Sequence, residues 1–446
     1  MNLLHFSNAD IRGGAAQATY QLHTLLRNAG HRSVLAVRQK ESSDPDVVRL
    51  GVRTLADCSW AELFERGRAR CAGGYGVKPL PFHYFNLNLA AAPDLRTALD
   101  AIPQPDVIFL HWITGLLTAA DIRRIWERVR CPMIWLLMDM EPMTGGCHYP
   151  GDCLRFKVEC GRCPQLQRSG PRDWTWRTWH EKHRQIMDLP ITFIGMTQWV
   201  ADRLSESKLF GGHRVARIPL PMNARMRPME KKIARDILEL PADKKIILIG
   251  SHDLKDPRKG MDRLLSAARL LSATGRPNED LPFRRDNVLL LILGENGKEL
   301  SAELPFPARD MGYIHSDVEL ALAYQAADVF VCPSLEDAGP VMVSQAMLCG
   351  TPVVAFDTGI AHELITSGRN GYIARLGDAE DLACGLKAML ADDGSAGRRA
   401  AVVASGHHSP ERIKSAYNQL LAGLVNARGE KTTLGEPCWQ SASTGD

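Results

Sequence analysis

Apolar residues in the first half of the chain form short continuous runs separated by stretches with helical spacing. Residues 3–6 are one such run, and after a glycine pair the apolar positions of residues 15–26 recur every three or four residues. Gly30 ends this stretch, and the next apolar run covers residues 33–37. This order predicts a strand, a helix and a parallel strand. Further buried-strand runs follow at residues 106–111, 133–138 and 191–195.

The second half repeats the alternation with clearer boundaries. We predict strands at residues 245–250, 288–294, 329–332 and 352–356, and helices at residues 260–271, 317–327 and immediately before Gly350. Asp378 opens a further helix, which carries leucines on one face. Alternating strands and helices in both halves predict an α/β protein with two doubly wound, Rossmann-like domains.

A proline-bearing stretch at residues 220–224 has no strong period and separates the two halves. We therefore predict domains at residues 1–220 and 221–405. Ser409-Pro410-Glu411 is a good helix start, so a terminal helix is expected within residues 406–427. Residues 428–446 are polar and mixed, which indicates a disordered tail.

Charge and composition exclude some classes of protein. The 54 basic and 51 acidic residues give a net charge of only +3, whereas a nucleic-acid-binding protein would carry a clear basic excess. The longest aliphatic run, residues 288–293, is far shorter than the ~20 residues that cross a bilayer. The N-terminus has neither the basic region nor the cleavage site of a signal peptide. We therefore expect a cytoplasmic enzyme.

Four of the 11 cysteines are clustered within 17 positions, namely Cys147, Cys153, Cys160 and Cys163. Glycines and prolines between them supply tight turns. Four thiols can converge on one ion, so we expect a structural zinc in an insertion at about residues 144–168. A [4Fe-4S] cluster is the alternative, since Pro164 follows the last cysteine, and four reduced thiols are the third reading. His148 could replace one thiol.

An acidic pair, Glu336 and Asp337, directly follows the strand predicted at residues 329–332. A Gly339-Pro340 turn and a helix come next. Side chains at the carboxyl edge of a parallel sheet meet the backbone N–H groups at the start of the following helices. Carboxylates and amides there can hold the hydroxyls of a sugar nucleotide, and N–H groups can hold its phosphates.

Three motifs together resemble the two-domain GT-B glycosyltransferases, specifically glycosyltransferase family 4. They are the Gly13-Gly14 pair after the first strand, the Arg258-Lys259-Gly260 turn in the second half, and the acidic block. The resemblance covers nearly the whole chain up to the terminal helix. It implies that the two domains face a central cleft holding the nucleotide and that the last helix crosses back onto the first domain. A similar cysteine insertion occurs in some relatives that build capsular polysaccharides or exopolysaccharides.

The resemblance implies roles for individual residues. Arg258 and Lys259 would neutralise the diphosphate leaving group, whose negative charge grows as the glycosidic bond breaks; a solvated surface pair is the alternative. Asp337, or Glu336 in its place, would hold the hydroxyls of the donor sugar together with neighbouring backbone N–H groups such as that of Gly339.

The acidic block departs from the family pattern of two glutamates separated by seven residues. Asp337 stands in the first position and Gln345 in the second. Gln345 can still accept hydrogen bonds from the ribose hydroxyls through its amide oxygen, although without charge assistance. We therefore expect nucleotide binding to survive in a somewhat weaker form. Met138 also replaces the histidine that often precedes Asp139 in similar sequences.

Other candidate contacts surround the predicted cleft. Gly13 and Gly14 would direct N–H groups at the donor phosphate or the acceptor, and Glu363 is a further candidate for nucleotide-sugar binding. His111 and Asp139 follow strand ends and are the candidates for an acceptor-side general base. A buried, hydrogen-bonded His111 is the alternative.

These residues predict a retaining transferase that moves a hexose from a UDP- or GDP-linked sugar to a glycan or polyprenyl-linked glycan in bacterial surface polysaccharide synthesis. Retention is implied by the family alone and requires no protein base. No catalytic divalent metal is expected, because the cations take its place. Residues 60–70 are compatible with an amphipathic helix that touches the inner face of the plasma membrane, although a plain surface helix is the simpler reading.

Two other functions remain open. A nucleotide-sugar epimerase of the same fold would use His111 and Glu363 and would consume donor without any acceptor. A non-catalytic, metal-binding scaffold subunit is favoured by the missing second glutamate and the missing histidine before Asp139.

Overall fold

The computed structural model of the protein describes residues 1–51, 93–274 and 285–433. Its strands form two parallel sheets, one in each half of the chain. The strands of the first sheet are β1 (Asn2–Ala9), β2 (Arg32–Gln39), β3 (Val47–Arg49), β4 (Val107–Leu110), β5 (Met133–Leu137), β6 (Ile191–Gly195) and β7 (Val215–Arg217). Those of the second sheet are β8 (Lys245–Asp253), β9 (Val288–Glu295), β10 (Ala308–Asp310), β11 (Val329–Cys332), β12 (Val353–Phe356) and β13 (Gly371–Ala374).

Helices connect the strands. Those of the first half are α1 (Gly14–Asn28), α2 (Arg96–Ala101), α3 (Ala119–Val129), α4 (Trp174–Ile186) and α5 (Gln198–Glu206). The second half contains α6 (Lys231–Ile237), α7 (Met261–Thr274), α8 (Gly297–Glu303), α9 (Asp317–Ala326), α10 (Val341–Leu348), α11 (Ala361–Leu364), α12 (Ala379–Leu390), α13 (Ser395–His407) and α14 (Pro410–Thr433).

The strand order identifies both sheets as doubly wound. The first runs β3-β2-β1-β4-β5-β6-β7 and the second β10-β9-β8-β11-β12-β13. The order reverses direction between β1 and β4 in one sheet and between β8 and β11 in the other. Ligands bind at such switch points, outside the carboxyl ends of the strands. The predicted fold class is therefore confirmed.

Continuous apolar strands form the two cores. Both faces of each sheet are covered by helices, so strands such as β5 and β11 are buried along their whole length. Polar residues are consequently concentrated in the loops at the strand ends.

The terminal helix α14 packs against the first domain. Ile413, Tyr417 and Leu421 are buried in the hydrophobic cluster of that domain, and His31 Nε2 lies 2.8 Å from Asn418 Oδ1. The helix continues to Thr433, beyond residue 427, where the sequence had predicted its end. It connects the end of the second domain to the surface of the first.

No helix within the described ranges is both long enough and apolar enough to span a bilayer. The stretch at residues 60–70, for which the sequence suggested a membrane contact, lies outside the described residues.

Candidate active site

Two loops at the carboxyl edge of the second sheet are held together by an unusually close backbone approach. Gly260 has a φ of 64°, and a Cβ placed on it would lie 2.0 Å from the carbonyl oxygen of Pro333. The N–H of Leu335 donates to the carbonyl oxygen of Arg258 over 2.7 Å. Only glycine permits this approach. It brings the loop after β8, with both predicted cations, against the acidic loop after β11.

Lys259 forms an ion pair with Asp337 of the acidic block. Its Nζ lies 2.6 Å from Asp337 Oδ2, and the two side chains are 21% and 9% exposed. Burial alone would raise the pKa of Asp337, but the positive charges of Lys259 and Arg258 and the N–H of Gly339 hold that pKa below its usual value. Asp337 is therefore ionised, and it neutralises the charge of Lys259.

Arg258 is the second cation of the cluster. Its guanidinium donates to Asp256 Oδ2 over 2.6 Å and to the carbonyl oxygen of Glu336 over 3.1 Å. The face of the guanidinium lies 3.9 Å from the centre of the Tyr149 ring. Arg258 is thus oriented by the same acidic loop and is covered by an aromatic ring from the other domain.

Glu336 does not share the role of Asp337. Its Oε2 accepts a hydrogen bond from the N–H of Gly151 over 3.0 Å, and burial raises its pKa. Glu336 therefore contacts the cysteine-rich insertion, whereas Asp337 contacts Lys259. This separates the two carboxylates that the sequence treated as interchangeable.

The insertion is anchored firmly at its base. Lys182 of α4 donates to Glu141 Oε1 over 2.7 Å and to the carbonyl oxygen of Thr144 over 3.0 Å. Gly145 follows, and a Cβ there would lie 2.3 Å from the carbonyl oxygen of Thr175. The Lys182–Glu141 pair is buried, and removing one member of such a pair costs about 3–5 kcal/mol. The chain beyond this anchor reaches the second domain through Tyr149 and Gly151.

Asp139 lies at the end of β5 beneath the insertion. Its Oδ2 accepts from Trp112 Nε1 over 2.9 Å and lies 2.6 Å from His148 Nδ1. Burial would raise the pKa of Asp139, but His148 and the other donors lower it. Met138 replaces the histidine that often precedes Asp139 in similar sequences. His148 of the insertion contacts the Asp139 carboxylate instead. Both side chains are buried, so the pair does not face open solvent.

His111 lies in the core of the first domain rather than at the cleft. Its Nε2 is 3.0 Å from His5 Nδ1, and it is 2% exposed. Burial lowers the pKa of His111 to about 3, so the ring is neutral. The β4 strand directs this side chain inward, and the structure does not support the role of a base that touches an acceptor.

Gln345 and Glu363 also lie apart from the cation cluster. Gln345 Oε1 accepts a hydrogen bond from the buried Tyr324 hydroxyl over 3.1 Å, so it lies between α9 and α10. Glu363 accepts from the N–H of Gln198 and from Arg217 Nη2, each over 2.6 Å. Glu363 therefore links the two domains. Both side chains are thus hydrogen-bonded to other parts of the protein.

A large cavity lies between the domains at the glycine turn. It has a volume of about 910 Å³ and is lined by Arg12 and Gly13 from the first domain and by Tyr313 and His315 from the second. Gly13 is the N-cap of α1, with a φ of 92°, and Gly14 is the first residue of that helix. The volume lies within the range of small-molecule sites. The described lining residues do not include Lys259 or Asp337, so the glycine turn and the acidic block occupy separate parts of the interdomain space.

The four insertion cysteines are free thiols. The N–H of Gly145 donates to Cys160 Sγ over 3.1 Å, and burial raises the pKa of Cys160 and Cys163 to about 11. Burial and the charges of Cys160 and Cys163 raise the pKa of Cys147. Across the described ranges, however, no three histidine, cysteine or acidic side chains are arranged to hold a metal ion. The metal therefore stays a prediction from the sequence.

Residues 230–406 match the family model described as "Glycosyl transferases group 1". The second domain is thus similar to group 1 glycosyl transferases. The match covers the strands, the cation turn and the acidic loop that form the cluster around Lys259. It agrees with the glycosyltransferase resemblance of the sequence, and the cysteine-rich insertion lies outside the matched residues.

Curated relatives fall into two groups by extent of alignment. The D-inositol 3-phosphate glycosyltransferase 2 of Catenulispora acidiphila is 30% identical over 220 residues, which cover 46% of this chain and 49% of the relative. The phosphatidyl-myo-inositol mannosyltransferase of Mycobacterium leprae is 34% identical over 34% of this chain and 38% of the relative. The chain thus spans about half the length, or less, of these two relatives. The protein assigned as the colanic acid biosynthesis glycosyl transferase WcaC of Escherichia coli K12 is 24% identical over 82% of this chain and 85% of the relative.

Solved structures show the fold of the whole chain. Sucrose-phosphate synthase from Thermosynechococcus elongatus superposes with a TM-score of 0.65 at 18% identity, over 95% of this chain and 99% of that chain. HepE of Anabaena, solved in complex with UDP and glucose, superposes with a TM-score of 0.62 at 16% identity, over 95% of this chain and 100% of that chain. The glycosyltransferase WaaG superposes with a TM-score of 0.55 at 15% identity, over 92% of this chain and 98% of that chain. The two domains therefore adopt the GT-B fold.

The close approach at Gly260 predicts a position-specific cost of substitution. Gly260→Ala would place a side chain in the left-handed conformation, which costs about 1–2 kcal/mol, and would also push the Pro333 carbonyl away. Gly368→Ala is the matched control, because Gly368 has a φ of 77° but no atom within 4 Å of its Cβ position. Urea denaturation should show the larger loss of stability in Gly260→Ala. Equal losses of stability in the two variants would mean that the close contact between position 260 and the Pro333 carbonyl does not matter for stability.

The sequence prediction for the tetrad is tested by metal analysis. Protein purified without chelators should contain about one zinc ion per chain if the thiols converge as in structural zinc sites; an iron–sulfur cluster would instead give iron and sulfide. Cys163→Ser should lose the metal, whereas Cys384→Ser, at an exposed thiol on α12, should keep it. Absence of metal from the unsubstituted protein would leave the tetrad as four reduced thiols.

Proposed function

We propose that this protein is a retaining hexosyltransferase that moves a sugar from a UDP-linked donor to a hydroxyl of a glycan or lipid-linked glycan in bacterial surface polysaccharide synthesis. The observation that carries the proposal is the Lys259–Asp337 pair, with Arg258 beside it, on the loops of a group 1 glycosyl transferase domain that face the first domain. The UDP and glucose in the HepE complex favour UDP as the nucleotide. The likeness to WcaC over most of the chain favours polysaccharide synthesis as the process.

The cations act on the leaving group. When the bond between the anomeric carbon and the phosphate oxygen breaks, the departing UDP gains negative charge, and fixed positive charges stabilise that state more than the ground state. Lys259 forms an ion pair with Asp337, and Arg258 forms one with Asp256. The diphosphate would replace Asp337 at Lys259, which releases the Asp337 carboxylate to accept hydrogen bonds from the hydroxyls of the donor sugar.

Retention agrees with the absence of an exposed base at His111. In front-face transfer the acceptor oxygen attacks on the side from which UDP leaves, and the acceptor proton passes to a departing phosphate oxygen. Such a step requires positioning rather than a protein base. The cations also fill the role that a catalytic divalent metal fills in other transferases.

The first domain would hold the acceptor. Asp139 and His148 lie at the carboxyl end of β5 under the insertion, beside the tip that contacts Glu336. These residues orient the insertion and thereby shape the acceptor side of the cleft. A polyprenyl-linked acceptor, a location in the cytoplasm and contact with the inner face of the plasma membrane stay predictions from the sequence.

Lys259→Ala tests the proposed diphosphate site. Isothermal titration should show UDP binding at least ~30-fold weaker than in the unsubstituted protein, because loss of a buried charged contact costs about 2 kcal/mol or more. Lys232→Ala is the matched control, since Lys232 is 71% exposed on α6 of the same domain, and it should bind UDP normally. Thermal melts of both variants verify folding. Unchanged UDP affinity in folded Lys259→Ala would place the phosphates elsewhere.

The anomeric configuration of the product tests the reaction type. With an α-linked UDP-hexose and an added glycan acceptor, proton NMR should show an α-linked product and release of UDP. An inverted linkage would contradict the retaining mechanism. Conversion of the donor sugar in the absence of acceptor would instead identify the epimerase, and binding without any turnover would favour the scaffold subunit.

A further inference from the structure

The tip of the insertion contacts the same groups that the proposed donor would need. The ring of Tyr149 covers the guanidinium of Arg258 at 3.9 Å. The hydroxyl of Tyr149 receives a hydrogen bond from the backbone of Ala338, which directly follows Asp337. Two residues further along the insertion, the N–H of Gly151 donates to Glu336 over 3.0 Å. One short segment, residues 149–151, therefore contacts both the cation loop and the acidic loop.

Tyr149 makes two contacts that the proposed nucleotide sugar would also make. Its aromatic face lies against a cation, where the proposed diphosphate would lie, and its hydroxyl lies at a backbone N–H, where a sugar hydroxyl would lie. Arg258 is only 16% exposed, and it also donates to Asp256 and to the Glu336 carbonyl. A diphosphate therefore cannot reach the face of Arg258 that Tyr149 covers while the ring remains on it.

We propose that Tyr149 is a donor-site residue that competes with the nucleotide sugar for Arg258 and Ala338. The inference rests on the proposed function, because it takes the ligand to be a nucleoside diphosphate sugar. Segment 149–151 leaves the acidic loop when the donor binds, and its anchored base at Lys182 stays in place.

The competition gives Tyr149 a role in product release. Every ligand that binds Arg258 bears the same cost of displacing Tyr149, but a complete nucleotide sugar supplies both a diphosphate for Arg258 and a hydroxyl for Ala338 to offset that cost. A nucleoside diphosphate supplies only the first, so the return of Tyr149 to Arg258 helps expel UDP after transfer.

Titration calorimetry with UDP and with UDP-glucose on two Tyr149 variants tests the proposal. Tyr149→Ala removes the ring and the hydroxyl, so UDP should bind about ten-fold more tightly, the scale of a desolvated cation–π contact. Tyr149→Phe keeps the ring over Arg258 but loses the contact with Ala338, so it should bind both UDP and UDP-glucose only about three-fold more tightly. Tyr372→Phe is the control, since its hydroxyl bonds Asp381 on α12 over 2.7 Å, and it should match the unsubstituted protein for both ligands.

Hydrogen exchange on the unsubstituted protein gives a second readout that needs no substitution. Amides of residues 147–153 should exchange faster when UDP-glucose is bound, because the segment has left the acidic loop.

The possible outcomes separate this inference from the proposed function. Weaker or unchanged binding in Tyr149→Ala, or slower exchange at residues 147–153 with ligand, would overturn the competition while leaving the transferase intact. If neither the unsubstituted protein nor Tyr149→Ala bound any UDP or GDP sugar, the proposed function itself would fail, and the role of Tyr149 with it.

Discussion

The candidate site depends on the backbone approach of Gly260 to Pro333. This contact fixes the cation loop of β8 against the acidic loop of β11, so that Lys259 and Asp337 meet at 2.6 Å. Parallel strands place both loops at the same edge of the sheet, and the approach of Gly260 to Pro333 brings them into contact. A side chain at position 260 would separate them, and the ion pair would then be lost.

The site is electrically balanced before any ligand arrives. Asp337 neutralises Lys259, Asp256 neutralises Arg258, and the Tyr149 ring covers one face of the guanidinium. Buried charges are costly unless they are paired, so two cations at this place require such partners. Under the proposed function, a diphosphate would replace Asp337 at Lys259 and Tyr149 at Arg258. This explains how strongly positive groups are kept in a nearly closed interdomain space.

The sequence predicted the parts of the structure that depend on local pattern. The buried strands β6 and β11 have the bounds predicted from the sequence. A short apolar run between turn residues marks both ends of such a strand. Three-residue strands such as β3 and β10 were not predicted, since three residues carry no period. The sequence motif predicted the Arg258-Lys259-Gly260 turn. The close contact with Pro333 explains why position 260 requires glycine.

Contacts between distant segments could not be predicted from the sequence. Tyr149 and Glu336 belong to different domains, and nothing in either stretch indicates that the insertion touches the acidic loop. His148 was considered only as a metal ligand, whereas it contacts Asp139. Gln345 follows the family spacing, yet its amide oxygen bonds Tyr324 in the core. The pattern shows which residues share an element, but the packing of the two domains decides which of them share a site.

The most direct test of the central claim is an experimental structure of the protein with UDP bound. The account predicts that a phosphate oxygen lies within hydrogen-bond distance of Lys259 Nζ, that Asp337 no longer contacts Lys259, and that Arg258 faces the diphosphate. Nucleotide bound at another place, with the Lys259–Asp337 pair intact, would contradict it.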